Sequence, residues 1–287
     1  MYPNTYLNLF PPFPRDNRVF VAMSFDQRFD ARWKDVIAPA VACIHKPDGT
    51  RLEPHRVDLR KASDSVLTEI LEGISRCRFF LADISVVGDL NGHPVRNANV
   101  LYEVGLAHAA RLPEEVALLR SDREELLFDV MNIRVLEYDP DGNPVGAKRV
   151  VIEGIVQSLK ELDLKKSMTV RSIAESLDVY GWTRLIEAIA GEVIHHVSAR
   201  NVREALRDPP KQQAIYRLLD RGCLRAEFIK ITPESLAAQF NQPEETMVGY
   251  KVTELGRAVA KYGIAELGLL SPELAHILDT VEGEGGP

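Results

Sequence analysis

Short apolar runs alternate with helical stripes along the first 160 or so residues. Residues 18–23 (RVFVAM) form an unbroken run rich in β-formers that ends in Ser24-Phe25-Asp26. Such a run predicts a buried strand of the kind found in parallel sheets. Phe29, Trp33, Val36, Ile37, Ala40 and Val41 then recur at spacings of three and four, which predicts an amphipathic helix. A second strand is expected over 56–59, followed by a helix over 63–75 with Ser63 as its N-cap. Residues 78–85 predict a third strand, 86–96 a loop with two glycines and a proline, and 97–111 a further helix. Strands over 116–119 and 133–138 and an amphipathic helix over 150–162 complete the series.

Alternation through five strands predicts a flavodoxin-like α/β domain: a five-stranded parallel sheet with helices on both faces. In such sheets a ligand sits beyond the carboxyl ends of the strands. Ser24-Phe25-Asp26, Asp83-Ile84-Ser85 and the start of the helix at Asn97 meet there.

After Leu164-Lys165-Lys166 the pattern changes to helices, with a hairpin expected from 225–230 and 249–252. The stretches AIYRLLDRG (214–222) and YKVTELGR (250–257) resemble a winged-helix module. The expected organisation is an irregular arm over 1–17, the α/β domain over 18–164, a mainly helical winged-helix-like domain over 167–281, and a disordered tail over 282–287.

Composition narrows the function. The net charge of −7 argues against a protein that binds polyanions along its whole surface. From Lys165 onward 15 basic residues meet 17 acidic ones, so the second domain lacks the basic excess of a DNA-binding module. Homo-oligomerisation through that domain is favoured over nucleic-acid binding. Cys43, Cys77 and Cys223 have neither metal-ligand nor redox-motif spacing and read as reduced thiols. His195 and His196 point about 100° apart on a helix and so make a poor metal pair. With no apolar run of bilayer length, a cytoplasmic protein is expected.

The chemistry concentrates in NANVLYEVGLAHA (97–109). Val100, Val104 and Ala107 supply a stripe for the sheet, with Leu101 at its margin, while Asn99 and Glu103 share another face. Gly105 inside a helix costs about 1 kcal/mol relative to alanine. Its presence predicts close approach by a packed strand or a ligand.

This stretch is similar to the asparagine-x-asparagine-hydrophobic-x-tyrosine-glutamate-hydrophobic-glycine-x-alanine-histidine signature of nucleoside 2-deoxyribosyltransferase-like and prokaryotic TIR-like proteins. The segments VFVAMSF (19–25), FLADIS (80–85) and LFDV (127–130) are similar to further elements of that family, in the same order. Ala98 departs from the proline usual between the two asparagines. The resemblance implies cleavage of an N-glycosidic bond through an oxocarbenium-like transition state. It implies Glu103 and Asp83 as catalytic residues, with Ser24, Phe25, Asp58, Asn99 and Tyr102 around the substrate. No cofactor or metal is expected, and NAD enters only as a substrate.

The leading expectation is therefore a nucleoside or nucleotide N-glycosidase, either a transferase or an NAD-consuming hydrolase. The two-domain layout resembles that of prokaryotic immune effectors. The alternatives are a catalytically silent nucleotide sensor that signals to the second domain, and a DNA-binding regulator.

Overall fold

The computed structural model describes residues 8–11, 13–46, 49–56, 66–126, 134–190, 209–230 and 246–268. It divides into two compact units, residues 1–165 and 166–287.

In the first unit, β1 (Arg18–Ala22) leads through a turn and π-helical Arg32–Ile37 into α1 (Ala38–Ala42). Then follow β2 (Glu53–His55), α2 (Val66–Arg76), β3 (Phe79–Asp83) and a hairpin of β4 (Val86–Leu90) and β5 (His93–Arg96). α3 (Ala98–Ala110), β6 (Val116–Arg120), β7 (Val135–Glu137) and α4 (Pro144–Ser176) complete the series. The main sheet has the order β2-β1-β3-β6-β7 and is parallel throughout. This is the doubly wound α/β architecture expected of a flavodoxin-like domain.

Both faces of the sheet are covered, which is why its central strands are continuously apolar. Phe79–Asp83 is buried from end to end, and 116–119 likewise. On one face Val19, Val21, Leu81 and Leu119 pack against Val36, Ile37 and Val41 and against Val151 and Ile155 of α4. On the other, Phe20, Ala22, Phe80, Ala82 and Leu118 meet Ile74 of α2 and Val100, Val104 and Ala107 of α3. The Phe20 and Phe80 rings stack with centroids 5.7 Å apart. Arg111, fully buried, donates to the carbonyls of Ile74, Cys77 and Arg78 and so closes the carboxyl end of α2. The N-terminal arm docks beside it: the Asp16 amide donates to the Arg76 carbonyl, and Arg15 lies 3.4 Å from Glu115.

The structure corrects three expectations. The second strand of the sheet is Glu53–His55, ahead of the expected 56–59, of which 57–59 lie outside the described residues. Pro54 masks it in the sequence, but β2 is an edge strand, where a residue without an amide hydrogen is tolerated. Residues 86–96 are not an irregular loop but an antiparallel hairpin. Its tip is Asn91-Gly92, both with positive φ (55° and 81°), the combination a two-residue hairpin turn favours. The last helix of the α/β series is far longer than 150–162. It starts at Pro144, where a missing amide hydrogen costs nothing, and runs without a break through Leu164-Lys165-Lys166. Ser63, the 127–130 element, His195, His196 and the acidic tail lie outside the described residues.

The second unit contains α5 (Val179–Ile189), α6 (Pro209–Asp220), the antiparallel pair β8 (Leu224–Lys230) and β9 (Thr246–Val252), and α7 (Glu254–Leu267). Thr253 caps α7 by accepting from the Gly256 amide. Two glycines let this helix sit close: a Cβ on Gly256 would lie 2.2 Å from the Cys223 carbonyl oxygen, and one on Gly263 would lie 2.3 Å from the Trp182 ring. Gly263→Ala gains about 1 kcal/mol of helix propensity but forces the buried indole aside, at a cost of about 1–3 kcal/mol. Packing is expected to win, so thermal unfolding of this variant is expected at a lower temperature than wild type.

Among the described residues, no helix is long and apolar enough to cross a membrane.

Candidate active site at the carboxyl edge of the sheet

Register defines the edge. Ala22 of β1 pairs with Ala82 of β3, and Asp83 pairs with Leu119 of β6. Asp83 is therefore the last residue of β3 at this edge, and Ser24 and Ser121 leave the sheet just beyond it. α3 begins on this edge, because it follows β3 and the hairpin. It must then run back toward the start of β6, where Val116 pairs with Phe80. Its N-cap is Asn97, whose side chain accepts from the amides of Asn99 and Val100. Glu103 thus sits in the second turn, near the edge.

Glu103 is half-buried and has no hydrogen-bond or ion-pair partner among the described residues. Burial alone pushes its pKa up from 4.5 to about 7. A carboxylate that is shielded from water, unpaired and poised near neutrality is suited to acid–base or nucleophilic work. Asn99 and Tyr102 are exposed on the same helix. The structure does not bear out a strand packed against Gly105: that residue is exposed, and a Cβ there would meet nothing within 4 Å. Gly105→Ala is accordingly expected to stabilise the protein by about 1 kcal/mol, measurable as a higher denaturant midpoint with an unchanged slope.

Asp83 is buried and its carboxylate is fully engaged. One oxygen accepts from the Ser85 amide and hydroxyl, and the other from the Tyr138 hydroxyl at 2.6 Å. Arg32 stands 3.6 Å from the same oxygen. The guanidinium also donates to Ser121 and Asp141 and lies over the Phe29 ring. Burial works against the charge of Arg32, but Asp83, with Tyr138 and Asp141, outweighs it and raises the pKa. Burial, reinforced by Asp83, pushes the Tyr138 hydroxyl up, so it stays a donor. None of the bonds made by Asp83 reaches Glu103.

A second cluster surrounds the end of β1. Ser24 is buried; its hydroxyl accepts from the Asp26 amide and its carbonyl from Arg56 at 2.7 Å. Phe25 is half exposed, with the Arg56 guanidinium 4.0 Å over its ring. Arg28 bridges this loop to the hairpin by donating to the Val87 carbonyl. The arrangement offers an aromatic face backed by a cation, next to a buried hydroxyl. Asp58 lies outside the described residues.

Arg32, Arg56 and Tyr138 do not stand out in the sequence. The two arginines occupy polar positions that ordinarily face solvent. For Tyr138 the available signal is its place at the end of the fifth strand, where an aromatic hydroxyl reaches the ligand edge.

No family model and no curated protein matches the chain. Among solved structures it is similar to the flavodiiron core of Flv1 from Synechocystis sp. PCC6803, at 12% identity over 55% of this chain and 37% of that one, with a TM-score of 0.33. It is also similar to a diflavin flavoprotein A3 from Nostoc sp., at 14% identity over 53% of this chain and 98% of that one, with a TM-score of 0.32. The chain thus spans well under half the length of the first. A flavodiiron core and a diflavin flavoprotein overturn the expectation that the domain works without a cofactor, and it is withdrawn. At these TM-scores the likeness assigns no particular cofactor to this chain.

Proposed function

We propose that the first unit cleaves the N-glycosidic bond of a nucleotide or nucleoside, with NAD as the leading substrate. The observation that carries this reading is Glu103: half-buried, unpartnered among the described residues, and shifted toward neutrality at the ligand edge of the sheet. In this reading its ionised carboxylate faces the anomeric carbon. The bond from that carbon to the base breaks, the electron pair leaves with the base, and the carboxylate stabilises the oxocarbenium-like centre or bonds to it. Water then takes the sugar in a hydrolase, or a second base takes it in a transferase. Phe25, backed by Arg56, is a stacking surface for the base. Asp83 acts as a positioning residue, since its oxygens are committed to Ser85, Tyr138 and Arg32.

The second unit is read as a protein-contact module. Its wing cations Arg225 and Lys251 both pair with Glu227, and Arg217 pairs with Asp178, so these charges are not left for a phosphate backbone.

The test is release of free base, followed by chromatography, from NAD and from a panel of nucleosides and nucleotides, at low and high protein concentration. Base release is expected, with kcat/KM rising with pH along a single-proton limb centred near 7, because the carboxylate must be ionised to act. A rate that is flat between pH 5 and 8 would take Glu103 out of the ionised role. No release from any substrate at either concentration would end the glycosidase reading.

A further inference from the structure

A cavity of about 480 Å³ opens beyond the carboxyl ends of β6 and β7. That volume is within the usual range for small-molecule sites. Its walls include Arg120, Asp122 and Arg123, then Glu137 at the end of β7, Tyr138 and Asp139 after it, and Arg149 from the first turns of α4. It lies on the α4 side of the sheet, whereas Glu103 belongs to α3 on the opposite face, and its Ser121 and Tyr138 adjoin the Asp83 cluster.

The charges in this wall are not equivalent. Glu137 is ion-paired with Arg120 and Asp122 with Arg96, and Asp139 accepts from the Gly142 amide at 2.8 Å. Arg123 and Arg149 have no carboxylate partner among the described residues. The positive end of α4, a helix of 33 residues, adds to the potential at this place. Guanidinium groups suit phosphate oxygens, while carboxylates beside them suit the hydroxyls of a sugar.

We propose that this cavity is a second ligand site, for a phosphate-bearing small molecule of nucleotide size. Arg123 and Arg149 take the phosphate, Asp139 accepts from sugar hydroxyls, and the Tyr138 ring forms part of the floor. The hydroxyl of Tyr138 is already committed to Asp83.

The experiment is calorimetric titration of the full chain with adenosine 5′-monophosphate. It is run in a Glu103→Gln background so that cleavage does not intrude, with adenosine and inorganic phosphate as comparison probes. The nucleotide is expected to bind at least tenfold more tightly than either probe, and more weakly as salt rises. Adding Arg123→Ala and Arg149→Ala is expected to weaken it at least tenfold without lowering the melting temperature, since both side chains are exposed. Absent binding overturns the proposal. So does binding that the two arginine changes leave intact, which would put the nucleotide elsewhere. Inorganic phosphate binding as tightly as the nucleotide would also overturn it, reducing the cavity to a simple anion site.

Discussion

Glu103→Gln is expected to abolish base release and, above pH 7, to make the protein more stable than wild type. The two effects have one origin. The folded protein holds the Glu103 proton more tightly than the unfolded chain does, with a pKa of about 7 against 4.5. Between those values the folded state binds more protons, so stability falls as pH rises through that window. Below about pH 4 both states are protonated and the difference vanishes. A rise from 4.5 to about 7 corresponds to about 3 kcal/mol at most. Partial exposure of the group to water reduces this to about 1–2 kcal/mol. Glutamine keeps the shape without the charge, so denaturant unfolding at pH 8 should show the variant ahead by that amount, and unfolding at pH 4 should show parity. A variant less stable than wild type at pH 8 would identify Glu103 as a structural partner instead. Unpaired burial of a charge is something packing alone gives no reason to keep, which is why a gain in stability together with a loss of turnover is the informative pair.

The parts of this fold that were legible were those whose residues face one environment throughout. β1, β3 and β6 are buried on both sides, so their apolar runs are unbroken and their positions plain. α3 was equally clear, since Val100, Val104 and Ala107 recur at helical spacing and Asn97 caps the start. The misplaced elements are those at boundaries. β2 carries Pro54, and the β4–β5 hairpin has Gly88 at a shift in register and Pro94 in its second strand, so neither keeps a strand pattern. Asn91-Gly92, a two-residue turn signal, is what this stretch does carry. The candidate site divides in the same way. Residues on the sheet's own strand ends or on α3, such as Ser24, Phe25, Asp83 and Glu103, follow from topology. Arg32 and Arg56 reach the edge from a π-helical turn and from beyond an edge strand. Their contacts depend on side-chain directions that no linear spacing encodes.

Asp83→Ala is expected to destabilise the first unit by about 3–5 kcal/mol, the scale for breaking a buried charge pair from one side. The loss comes less from missing attraction than from what is stranded. Arg32 keeps a partner in Asp141, but that partner is exposed, while Asp83 is the carboxylate buried beside it. Tyr138 loses the acceptor of its hydroxyl, and Ser85 loses the turn that aligns it with the Ser121 amide. Tyr138→Phe alone removes a single donor and leaves Asp83 its other bonds, so about 1 kcal/mol is expected there. Because the tyrosine's bond is already gone in Asp83→Ala, the double variant should cost less than the sum of the two singles, by an interaction energy of about 0.5–3 kcal/mol. Chemical denaturation of the four proteins measures all of these terms. A loss below about 1 kcal/mol for Asp83→Ala, together with abolished base release, would mean that the carboxylate is not holding the edge together, and it would place Asp83 in contact with the substrate rather than behind it.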